Sequence, residues 1–182
     1  MKIADAQRNL SLYDFGDKRA EAIGTQLRSA ELLPKGGRGP HAPEANEGQV
    51  ALYTLAVAGA RKVSDAVDTA AKLAHIENAA GTNLLRAVTL AISDPQQAAA
   101  IRHIRVFPNM PMAELTRPDG TVEYFFDPSL WQPDFAPEAQ GQAYVGPIGH
   151  IGGAVLIAMA GGFKQPIESG WTKSDNAGEI NG

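Results

Sequence analysis

With 182 residues, the chain is long enough for one domain with a full hydrophobic core and no covalent staples. It contains no cysteine, which excludes disulfides, thiolate metal sites and cysteine nucleophiles. Sixteen basic against twenty acidic side chains leave a net charge of −4, which excludes a uniformly basic nucleic-acid coat and confines any polyanion contact to a local patch.

The opening run MKIADAQRNLSLYDF has no apolar stretch of the signal-peptide kind, so a cytoplasmic location is expected. Residues 1–38 hold seven basic side chains (Lys2, Arg8, Lys18, Arg19, Arg28, Lys35, Arg38) against five acids, a basic head on an acidic body. From Asp17 to Leu33 the spacing of Ala20, Ile23, Leu27 and Ala30 predicts a helix with one apolar stripe, capped by Asp17 and stopped by Pro34. Its opposite face collects Lys18, Glu21, Thr25, Arg28 and Ser29. Lys35 to Pro43 follows, with three glycines and two prolines, and reads as a basic, mobile loop.

Three helices are predicted next: Glu44 to Ala58, Ser64 to Asn78 with Ser64 as cap, and Asn83 to Ile92. The middle one would bury Val63, Val67, Ala70, Ala71 and Ala74. Asp94-Pro95 opens a further short helix ending near Arg102, with Asp as cap and proline at the first helical position. Beyond it the period changes to two. His103 to Phe107 is a strand, and Met112 to Arg117 and Thr121 to Phe126 form a hairpin around Pro118-Asp119-Gly120. Leu115, Val122, Tyr124 and Phe126 are expected on its buried face. After a proline-rich connection, a glycine-rich helix from about Pro147 to Ala160 would cover the hairpin, and residues 168–182 read as a disordered tail. Ala143 to Phe163 carries no formal charge over 21 residues, but six glycines and Pro147 make it a core segment rather than a membrane span. The fold class is α+β: a mostly helical body over 1–100 and a hairpin-plus-helix region over 101–167.

Catalytic patterns are missing from the sequence. No two of the histidines 41, 75, 103 and 150 have metal-pair spacing, Gly146 to Gly153 fits neither nucleotide-loop pattern, and there is no GxSxG elbow. No enzymatic activity, cofactor or metal is therefore expected. Tyr124, Phe125 and Phe126 could stack bases, but Glu114, Asp119, Glu123 and Asp127 around them favour a core role.

The helix from Lys18 onward and its loop meet a different demand. A helix read by the major groove needs an apolar side for its own core and short polar or basic side chains opposite. Lys18, Thr25, Arg28 and Ser29 suit base edges and phosphates, while Lys35 and Arg38 could reach flanking phosphates. The run from Leu27 to Pro43, LRSAELLPKGGRGPHAP, resembles a segment of uncharacterised proteins of alphaproteobacterial prophages with a helix-turn-helix-like N-terminal region. In them the pattern is LR.AGLLP.GGRG..AP, so this chain has Glu31 where glycine is expected. The resemblance implies a helix-turn-helix-like element over 1–100 and a DNA-binding transcription regulator of phage or prophage origin. Duplex DNA is the expected partner, no membrane contact is expected, and residues 101–167 would serve dimerisation or a protein partner. The alternative reading is a protein-interaction or assembly module without nucleic-acid binding.

Overall fold

A computed structural model describes residues 1–11, 17–35, 41–107, 110–130 and 148–163. Arg38 and the expected tail over 168–182 lie outside the described residues. Seven helices are found among the described residues: α1 (Ile3–Ser11), α2 (Asp17–Ser29), α3 (Glu47–Gly59), α4 (Ala66–His75), α5 (Leu84–Ser93), α6 (Pro95–Ala99) and α7 (Gly153–Phe163). Among the same residues four strands, β1 (His103–Phe107), β2 (Met112–Thr116), β3 (Val122–Phe126) and β4 (Gly149–Gly152), form one antiparallel sheet in the order β3-β2-β1-β4. The fold is α+β, with helices first, then a hairpin and a closing helix.

Helix α3 occupies the centre. Apolar on every side, it is buried from Val50 to Gly59 except at Leu52, and it packs on α2, α4, α5 and the sheet. It starts three residues later than its apolar content suggests, because Asn46 and Gln49 close a capping box. The Gln49 amide donates to Asn46 Oδ1 at 2.9 Å, and the Asn46 amide donates to Gln49 Oε1 at 3.0 Å. Asn83 and Asp94 cap α5 and α6 as expected, accepting from the amides of Arg86 at 2.8 Å and Gln96 at 2.9 Å. Helix α6 is shorter than expected, ending at Ala99.

In α4 the expected stripe is displaced. A 3₁₀ turn over Val63–Asp65 delays the helix to Ala66, and Ser64 donates to Asp65 Oδ1 instead of capping. The buried line becomes Ala66, Ala70 and Leu73; Ala71 is exposed. One core cluster runs continuously from Ile3 on α1 to Ala160 on α7.

The hairpin turn is as expected: Gly120 has φ +89°, its amide donates to the Arg117 carbonyl at 3.0 Å, and the Thr121 amide donates to Asp119 Oδ1 at 2.9 Å. The facing of the strands is not. Register places Ala113 opposite Phe125 and Met112 opposite Phe126. Phe125 and Leu115 therefore enter the main core, whereas Phe126 joins Phe107 and Met112 in a second cluster on the outer face, and Val122 is exposed.

The glycine-rich segment is not one helix. Residues 149–152 pair with β1 as an edge strand before α7 begins. Glycine makes that strand possible: a side chain at Gly149 would overlap the Ala58 carbonyl, and one at Gly153 the Ile101 carbonyl. Ile151, Val155 and Met159 are buried as expected, the first from the strand and the others from the helix. No helix among the described residues is long and apolar enough to cross a membrane.

Candidate nucleic-acid interface

Helix α2 lies against α1 and α3 through Ala20, Ile23 and Leu27, all fully buried. At 100° per residue, Lys18, Thr25 and Ser29 fall within about 40° of one another and about 150–175° from that apolar side. All three are exposed. Gln26, exposed on the flank of this line, is a further polar group that the sequence reading did not single out. Tyr53 of α3 anchors the helix from below, donating its hydroxyl to the Ala20 carbonyl at 3.0 Å, and burial raises its pKa far above the usual phenol value.

Arg28 stands apart from the line. It is half-buried, its guanidinium lies beside Gly24, and it donates to Thr25 Oγ1 at 3.2 Å. Thr25 in turn donates to the Glu21 carbonyl at 3.1 Å. Arg19, another cation of the basic head, serves the fold: it donates to the Val57 carbonyl at 2.8 Å and to the Ala60 carbonyl, closing the C-terminus of α3.

The helix ends at Ser29, earlier than the expected Leu33, so Ala30 is exposed and not part of the stripe. Its end is a Schellman motif. The Leu32 amide donates to the Leu27 carbonyl at 2.9 Å and the Glu31 amide to the Arg28 carbonyl at 3.1 Å, with Glu31 at φ 62°. Glu31 thus occupies the left-handed position that favours glycine, where the prophage pattern has glycine. Its carboxylate pairs with Lys35 at 2.5 Å, both groups being exposed. Of the six expected DNA-contacting residues, then, Lys18, Thr25 and Ser29 share one exposed surface, on which the Thr25 hydroxyl is held between Arg28 and the Glu21 carbonyl; Arg28 folds onto the flank, Lys35 is engaged by Glu31, and Arg38 lies outside the described residues.

The outer sheet face carries a second polar cluster, which sequence spacing did not reveal. His150, Arg105, Glu114 and Tyr124 are register neighbours across the four strands. Arg105 pairs with Glu114 at 2.9 Å and lies 5.5 Å from the Phe107 ring centre. Glu114 is only 6% exposed; burial pushes its carboxyl up, with Arg105 pulling the other way. His103 is held below the ordinary histidine range by burial and by His150, Arg102 and Arg105. Beyond this face a cleft of about 470 Å³ between α4 and the sheet has Lys72 and His75 on one side, Asp127 on the other, and Phe107 and Met110 among its lining.

In comparisons with known proteins, the chain matches no family model, no curated protein sequence and no solved structure.

Proposed function

We propose that this chain is a DNA-binding regulatory protein that lays the outer face of α2 against duplex DNA. The observation that carries the reading is the opposition of two faces on α2: Ala20, Ile23 and Leu27 fully buried, Lys18, Thr25 and Ser29 exposed in one line. Side chains of this length suit base edges and phosphates, and Lys35 beyond the helix C-terminus suits a flanking phosphate. The resemblance of residues 27–43 to the prophage segment supports the same surface and a phage or prophage origin. Binding of the intact chain to duplex DNA, with Lys18→Ala and Ser29→Ala as variants, tests it. The reading requires that both variants weaken binding while leaving the melting temperature unchanged, and fails if neither changes affinity.

A second reading, an interaction or assembly module, is favoured by α7. That helix has no charged residue, and Ala154 and Ile157 are exposed on it, with Leu90 exposed on α5, which packs beside it. On this reading α7 contacts a protein and α2 is merely a solvated surface helix.

A further inference from the structure

His103 on β1 and His150 on β4 are far apart in the chain, but the sheet puts them on one face. His150 stands opposite Arg105, two residues on from His103, and Gly152 stands opposite His103 itself. Successive odd positions of β1 share a side, so both rings project from the outer face. The ring centres are 5.0 Å apart, with planes inclined by 37°.

Two imidazoles at that separation can share a cation. Metal–nitrogen bonds of about 2.0–2.1 Å place the ion about 3.2 Å from each ring centre, and an angle of about 100–110° at the ion then sets the centres about 4.9–5.2 Å apart. We propose that His103 and His150 form a two-histidine site for a transition-metal dication of the Cu²⁺, Ni²⁺ or Zn²⁺ class. Imidazole nitrogens select these ions, while Mg²⁺ and Ca²⁺ demand oxygen ligands. With two protein ligands, the other coordination positions go to water, so the ion is exchangeable. Arg105, the cation facing His150 in the register, is compensated by Glu114 at 2.9 Å on the far side of β1. His150 is exposed, so the ion has access from solvent, and His103 is half-buried on the inner strand. A bound ion would tie the four-residue strand β4, which pairs with β1 alone among the described residues, to the middle of the sheet.

The test is calorimetric titration and thermal melting of the untagged full chain with CuCl₂, ZnCl₂ and MgCl₂. Cu²⁺ and Zn²⁺ should bind one per chain, Cu²⁺ more tightly, and raise the melting temperature by about 5 °C or more at 100-fold excess over Kd, with Mg²⁺ silent. His103→Ala and His150→Ala should each weaken binding at least tenfold and abolish the shift measured against their own metal-free baselines. His41→Ala and His75→Ala should keep it. Should His103→Ala fail to fold, the exposed His150→Ala carries the test alone. Equal shifts in the wild type and His150→Ala, or no binding of either ion at millimolar concentration, would overturn the assignment.

Discussion

Replacing Glu31 by glycine should leave the protein more stable than replacing it by alanine. At φ 62° the Glu31 backbone is left-handed, a conformation that costs an L-residue roughly 1–2 kcal/mol relative to the right-handed region. Glycine removes that strain but adds back about 0.5–1 kcal/mol of unfolded-chain entropy, so the backbone gain is a few tenths to about 1 kcal/mol. Either substitution also loses the Glu31–Lys35 pair, whose two exposed members contribute at most about 0.5 kcal/mol. Glu31→Gly should therefore lie a few tenths to about 1 kcal/mol above Glu31→Ala, a difference of roughly 1–4 °C in melting temperature for a chain of this size. Calorimetric melts of the two variants measure that gap directly. A Glu31→Ala protein as stable as Glu31→Gly would refute the assignment of residue 31 to the left-handed cap. Both variants release Lys35, so both should raise affinity for duplex DNA by a similar factor, about two- to fivefold at low salt.

Gly149→Ala should destabilise by about 1–3 kcal/mol or more, because its methyl group meets the backbone carbonyl of Ala58 rather than a movable side chain, and chemical denaturation would expose the error if the loss were absent. Gly120→Val should cost more than about 1 kcal/mol through strain at φ +89°, although nothing crowds that position; an unchanged melting temperature would contradict the turn. Glu114 has a folded pKa above its ordinary 4.5, so the fold favours its protonated form and loses that contribution as pH rises through the raised value. The stability of Glu114→Gln relative to wild type should accordingly grow with pH from about 4.5 upward, and a difference that does not change with pH would count against a buried carboxylate.

What could be read in the sequence was what short-range pattern encodes. Ala20, Ile23 and Leu27 disclosed the buried side of α2, the alternation from His103 to Phe107 disclosed β1, and Pro118-Asp119-Gly120, Asn83 and Asp94 disclosed a turn and two caps. Helix α1 went unrecognised although Ile3, Ala6 and Leu10 repeat at helical spacing, a signal that was available. Strand β4 gave no such signal. Its sequence Gly-His-Ile-Gly has a single large apolar residue, and its pairing depends on a close approach to Ala58 that only tertiary structure creates. The His103–His150 contact was hidden with it, since it exists only once β4 pairs with β1. The site residues divide in the same way: which side of α2 faces outward follows from periodicity, whereas the capture of Arg19 by α3, of Arg28 by the helix flank and of Lys35 by Glu31 depends on neighbours that composition does not specify.

The most direct test of the central claim is the salt dependence of binding to a non-specific DNA duplex. If Lys18, Lys35 (released from Glu31) and Arg38 contact about three phosphates, as the proposed function has it, log K should fall linearly against log salt with a slope near −2.7, reduced by about 0.9 in Lys18→Ala and again in Lys35→Ala. No binding at low salt, or a slope identical in the wild type and both lysine variants, would contradict a DNA-facing α2.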